Sequence, residues 1–269
     1  MKNRTEKNKN TNFISGIHNY CDAWCVHCPL TAKCAIFRPM KKDFDTPEEN
    51  DVNNKEFWEE MARTLADTMK MVIERCEEMG IDTNFTDEEL EEYQAKQDER
   101  ERRTNEKLVP KMAMEYSEIS REWFEKEKDY LTEKEKEINS LLASGVNSSD
   151  ILIEGAHIED AMEVILWYQH FIYVKFMRAM LRDDDEERQS PVLKEIMDYD
   201  ANGSAKIALI GIDRSISAWG SLMKRLPEKS DEILDILVHL EKLRKAAEKE
   251  FPNARRFKRP GFDTPDGLL

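Results

Sequence analysis

Between Ala161 and Leu181 the chain reads AMEVILWYQHFIYVKFMRAML, and almost every position is apolar. A run of this length with no Gly or Pro is a helix rather than a strand. A helix that is hydrophobic around most of its circumference belongs at the centre of a packed bundle. The predicted helix extends from about Asp150 to Arg182, with Asn147-Ser-Ser-Asp150 as its cap and the charge run Asp183-Asp-Asp-Glu-Glu187 as its end.

Helical periodicity continues on both sides. Upstream, Phe57, Met61, Leu65, Met69, Val72, Ile73 and Cys76 recur at three- and four-residue steps. This predicts a helix over about Asn54 to Glu78 with a buried stripe, closed by Gly80. Thr86-Asp-Glu-Glu89 is a capping box that opens a second helix. Apolar residues are scarce from Leu90 to Asn105, so the charged residues 86–107 read as either a solvated helix or a mobile excursion. Past Pro110 the stripe resumes as Met112, Tyr116, Ile119, Trp123 and Tyr130. Downstream, Ser190-Pro191 opens a short helix. Ala201-Asn-Gly-Ser204 caps another, whose Ala, Gly and Ser permit close packing. A last helix spans about Ser230 to Glu250, with Ile233, Leu237, Leu240, Leu243 and Ala247 on one face.

The fold class is therefore all-α: a bundle of about five main helices over 54–250. It follows a disordered, positively biased lead (1–12) and a cysteine module (13–40), with residues 41–54 as a polar linker, and ends in an irregular tail (251–269). Composition agrees. The 269 residues hold only 9 Gly and 9 Pro, too few for an all-β fold. With 41 Lys plus Arg against 56 Asp plus Glu, the net charge of −15 disfavours nucleic acid and anionic membrane. No apolar run reaches the ~18 residues of a membrane span, and Met1–Asn12 lacks the apolar core of a secretory signal, so a cytoplasmic location is expected.

Four of the five cysteines fall within fourteen residues: Cys21, Cys25, Cys28 and Cys34, spaced C-x3-C-x2-C-x5-C. Disulfides suit secreted chains and are the least expected reading. Structural Zn2+ is the alternative, with His18 or His27 able to replace a thiolate, although only one C-x2-C knuckle is present. A [4Fe–4S] cluster is the first reading, since each iron of the cube takes one thiolate and Pro29 follows a ligand. Either metal would hold together a segment too poor in apolar residues to fold alone. An iron–sulfur site implies electron transfer or redox sensing with a protein partner; a zinc site implies an interaction or scaffold protein. Cys76, on an apolar stripe, reads as an inert core residue.

The C-x3-C-x2-C core at Cys21, Cys25 and Cys28 resembles the cluster motif of radical SAM enzymes. Those enzymes are α/β barrels with one iron left open, whereas this chain is helical and offers Cys34 as a fourth ligand, so that family is rejected. The string Y-C-D-x-W-C-x-x-C-P-x4-C resembles the N-terminus of a group of uncharacterised bacterial proteins. It covers about fifteen residues and implies no activity.

Glu154-x-x-His157, Glu163 and His170 lie on the long apolar helix, where charge must be paired or bound to metal. Glu-x-x-His is the ligand pair of di-iron bundles, which makes a bundle oxidase a further alternative, but no second such motif follows. A salt-bridge network is the simpler expectation, with Asp160 and Glu163 reaching Lys206 or Arg214 and Asp213 serving Lys175 or Arg178. Glu232, Asp235 and His239 of the last helix are expected to face water. Asn202-Gly-Ser-Ala-Lys206 reads as a plain helix cap rather than an anion site. In the tail, Arg255, Arg256, Lys258 and Arg259 with Phe251, Phe257 and Phe262 are expected to dock on the protein's own carboxylates. No Ser/His/Asp or Cys/His nucleophile arrangement occurs, so no catalytic residue is assigned.

Overall fold

The computed structural model describes residues 13–37, 55–78, 80, 83–84, 86–144, 148–181 and 191–263; the side chains of Phe57 and Glu154 are not among those described. The expected lead (1–12), the linker, the cap at Asn147 and the charge run 183–187 lie outside these residues. Among the described residues there are six α-helices and no strand: α1 Lys55–Glu78, α2 Asp87–Asn105, α3 Leu108–Ala143, α4 Ser148–Met180, α5 Pro191–Arg225 and α6 Ser230–Glu250. None of them is long and apolar enough to cross a membrane. The chain divides into two units, Met1–Asp98 with Arg259–Leu269, and Glu99–Lys258.

In the second unit four helices close a ring: α3 packs on α4, α4 on α5, α5 on α6, and α6 back on α3. Helices in such a ring each bury one stripe and show the opposite face to water. This corrects the expectation of a central α4. Its inner line, Ile165, Tyr168, Ile172 and Phe176, is fully buried, whereas Leu166, Trp167 and Val174 on its outer face are exposed. The most enclosed helix is α5, where Ala205, Ala208, Leu209, Ile212 and Trp219 are buried.

The predicted break near residue 201 is absent, and α5 runs unbroken from Pro191 to Arg225. Asn202 caps nothing; its side-chain amide donates to the Asp198 carbonyl one turn back. The small residues instead allow α4 and α5 to approach. A Cβ built on Gly211 would stand 3.0 Å from Ile172 Cγ1 and from Tyr168 Cδ1, while one on Gly220 meets nothing within 4 Å. Gly211 and Gly220 therefore respond differently to alanine. Gly220→Ala is expected to stabilise by about 0.5–1 kcal/mol, the usual gain in a helix interior. Gly211→Ala is expected to lose that gain to overpacking of about 1–3 kcal/mol. Urea unfolding of both variants tests the contrast.

On α3 the buried line is Val109, Ala113, Tyr116, Ser120, Trp123 and Glu127, with Ile119 turned outward. Glu127 is 3% exposed and is held by Lys229, whose Nζ lies 2.5 Å away. Around it, Lys126 pairs with Glu232 at 2.9 Å and the Tyr130 hydroxyl donates to Glu228 at 3.0 Å. The group fastens α3 to the Pro227–Lys229 turn and the start of α6. Glu232 is thus paired rather than free in water, and His239 sits 2.8 Å from the Met112 carbonyl, half-buried.

This junction sets a pH window. The Glu228 carboxyl is held low by backbone N–H and then by Tyr130, and that of Glu232 by Lys126. Burial, then Glu228, pushes Tyr130 up to about 12. The carboxylates contribute stability above the ordinary carboxylate range and lose it as pH falls through their lowered values. Tyr130 contributes below its ordinary value near 10 and loses it as pH rises towards 12. Thermal stability is expected to decline on both limbs, and Tyr130→Phe to flatten the alkaline one, as measured by circular dichroism melting from pH 3 to 11.

Contacts beyond those the spacing suggested join the helices. Arg178 holds Asp200 at 2.7 Å, Lys206 donates to the Arg255 carbonyl, Arg214 donates to the Tyr168 hydroxyl, and Asp213 receives Arg255 at 2.5 Å. In the tail Arg255 docks on carboxylates as expected and also reaches Glu248, while Phe251 stacks on Phe176 and Phe257 leans on Tyr199.

In the first unit, α1 ends as predicted. Gly80 has φ +70°, and its N–H returns to the Glu77 carbonyl. The Thr86 capping box is complete, with Glu89 N–H donating to Thr86 Oγ1 and Thr86 N–H to the Glu89 carboxylate. α2 is polar all round and laced by spaced pairs such as Lys96–Glu92. Among the described residues the buried stripe expected on α1 is not found: Met61, Leu65, Met69, Val72 and Ile73 are exposed, and Cys76, expected in a core, is half-buried.

Candidate metal centre

Residues 13–37 fold as three single turns of 3₁₀ helix, Ile17–Tyr20, Cys25–His27 and Thr31–Lys33. Gly16 enters the first with φ +70°. The other two place cysteines at their ends: Cys28 N–H closes on the Cys25 carbonyl and Cys34 N–H on the Thr31 carbonyl. Ile14 N–H donates to the Lys33 carbonyl at 3.1 Å and ties the two ends of the loop together. Ala23, between the first two cysteines, has φ +56°. A left-handed alanine costs about 1–2 kcal/mol, a strain that recurs at functional loops.

These turns bring Cys21, Cys25, Cys28 and Cys34 to the wall of one cavity of about 30 Å³. All five cysteines are free thiols, so the disulfide reading is not met. The Cys21 thiol donates to the His18 carbonyl at 3.4 Å. Burial, and then the neighbouring Cys21, Cys28 and Cys34, push the Cys25 thiol above its ordinary value. The four sulfur positions therefore influence one another. They do not close on a point: among the described residues no three His, Cys, Asp or Glu side chains gather so as to hold a metal ion.

The rest of the wall is mainly apolar. Ile17 and Trp24 are buried, and Phe37 and Phe262 complete the lining. Of the two histidines considered as substitute ligands, His18 lines the cavity, whereas His27 sets its ring 4.5 Å from that of Trp24. By sequence Phe262 belongs to the basic tail, far from the cysteines. It returns because Arg259–Asp263 forms a tight turn of its own, with the Arg259 backbone and guanidinium both donating to Asp263. Gly261, at φ +75°, lies so close to Ile14 and Ile17 that a Cβ there would stand 2.8 Å from Ile14 Cδ1. The only sequence signal for this was the Pro260-Gly261 pair.

Among the described residues the second set does not gather into a centre. His157, Glu163 and His170 are exposed on α4, and the side chain of Glu154 lies outside the described residues. Glu159 and Glu163 line an open groove of about 770 Å³ between α3 and α4, which neither histidine lines; the His170 ring leans on Tyr173. The premise of buried charge fails because α4 has an outer face, and the charges sit on it. No protein-family model, curated protein or solved structure matches the chain. The fold and the loop define its class: an all-helical protein with a four-cysteine cavity.

Proposed function

We propose that Cys21, Cys25, Cys28 and Cys34 are the thiolate ligands of a [4Fe–4S] cluster, and that the protein serves electron transfer or redox sensing in the cytoplasm, with a protein as electron partner. One observation carries the reading: four thiols, all free, line a single small cavity. Zinc asks four sulfurs to close around one ion at about 2.3 Å. A cube brings its own sulfides and takes one thiolate at each corner, so its ligands stand wider apart. The compact C-x3-C-x2-C-x5-C spacing, with Pro29 after a ligand, favours the cluster. When bound, such a cluster supplies a one-electron couple.

The chain's own part is to hold and shield. Trp24, Phe37 and Phe262 limit water at the sulfurs, which lowers the local polarity that sets a potential. Loading requires Cys25 to give up a proton that its surroundings favour keeping, so metal uptake strengthens with rising pH. The small volume of the cavity favours a second reading, a zinc-stapled module on a helical scaffold protein. Metal and acid-labile sulfide analysis with an optical spectrum, on protein purified without oxygen, separates the two. About four iron and four sulfide per chain with broad visible absorbance is the expected result. Stoichiometric zinc without iron overturns it in favour of the second reading, and absence of both metals overturns both.

A further inference from the structure

The cysteine cavity has a volume of about 30 Å³, room for roughly one or two waters. A metal group can enter only if part of its wall gives way. Among the described residues every one that lines it, Phe262 excepted, belongs to residues 17–37, so Phe262 is the part of the wall carried by a distant stretch of chain. That stretch is built as one piece. The Arg259 carbonyl accepts from the Phe262 and Asp263 N–H groups at 3.3 and 3.0 Å. The Asp263 carboxylate receives the Arg259 backbone N–H at 3.1 Å and its guanidinium at 3.1 and 3.0 Å. The guanidinium also lies 4.8 Å from the centre of the Phe262 ring, which fixes the ring on its own turn. The two charged side chains are only 15% and 21% exposed, so solvent screens their pairing less than that of a surface pair.

Resting on the metal centre proposed above, we infer that Arg259–Asp263 is a strap that lifts off the cysteine loop as one piece to admit or release metal. When seated, it holds Phe262 in place as the closing wall. The Arg259–Asp263 pair keeps the strap in shape, and Gly261 lets it seat. At φ +75° Gly261 adopts a conformation that any other residue enters under strain, and a Cβ there would stand 2.8 Å from Ile14 Cδ1 and 3.1 Å from Ile17 Cδ1. A side chain at position 261 therefore props the strap away from the loop, whereas truncation of Phe262 opens the wall with the strap still seated.

The test is alkylation by N-ethylmaleimide of the full chain purified without oxygen, with peptide mass mapping and metal analysis on the same samples. Cys76, on α1 and away from the cavity, is the internal reference. Relative to it, the four cavity cysteines of Phe262→Ala and of Gly261→Ala are expected to react about 10–100-fold faster than in the wild type, the range for losing a supporting contact around a metal. Helical circular dichroism is expected to stay unchanged, and Phe262→Leu, which refills most of the wall, to return the rates towards those of the wild type. Wild-type rates in either Phe262→Ala or Gly261→Ala overturn the strap, whichever metal is found. A chain that holds no metal overturns the metal centre instead, and the contrast in rates still reports on the strap, because a seated Phe262 slows the maleimide by itself.

Discussion

If the proposed cluster is present, Cys28→Ser is expected to abolish bound iron and visible absorbance, while Cys76→Ser leaves both unchanged. Cys28 ends the second 3₁₀ turn and lines the cavity with the other three thiols. Serine keeps the size and the turn but offers a hydroxyl that does not ionise at neutral pH, so one corner of the site loses its ligand. Losing a mere supporting contact around a metal costs about 10–100-fold in affinity, and losing a ligand costs more. Because binding energy here is also folding energy, residues 13–37 of the variant are expected to exchange their amide protons rapidly while the four-helix ring stays protected. Iron analysis and hydrogen exchange on the two variants check both parts. Retention of full iron by Cys28→Ser would exclude this residue as a ligand.

The second large effect belongs to the ring. Trp219→Ala is expected to destabilise by about 3–5 kcal/mol, the range for a large aromatic removed from a core. The Trp219 side chain is fully buried. It stands edge-on to Trp123 with ring centroids 5.0 Å apart and packs beside Phe124. Its indole N–H donates to the Tyr116 hydroxyl at 3.2 Å, and burial already pushes Tyr116 up from its ordinary value. Truncation leaves a void and removes a donor from that hydroxyl, which adds to the loss. Domains of this size hold about 5–15 kcal/mol in total, so much of the margin goes. Trp167→Ala, on the outer face of α4 at 38% exposure, is expected to cost about 1 kcal/mol or less. Urea unfolding followed by circular dichroism compares them.

The features that could be read from sequence are those decided within a few residues. Gly80, the Thr86–Glu89 box and the limits of α6 depend on local backbone chemistry, and each stands where its residues placed it. That four cysteines line one cavity goes with their short spacing. What escaped is decided by distant partners. Asp198, Asp200 and Asn202 look like punctuation, yet Asp200 is taken up by Arg178 and Asn202 by its own helix, so α5 runs on. The apolar excess of α4 suggested a centre, but small residues on α5 bury more completely because they let a neighbouring helix come close. Phe262 lies far along the chain from the cysteines and no local pattern joins them.

The five tryptophans give the molecule built-in optical probes. Trp58 and Trp167 stand 54% and 38% in solvent, while Trp24, Trp123 and Trp219 are buried. A dissolved quencher such as acrylamide dims the first two and spares the others. Of those three, Trp24 alone lines the cysteine cavity, so its light is emitted in contact with whatever occupies that space. A coloured guest would darken it by short-range energy transfer, and the glow lost on loading would count filled sites without any added dye.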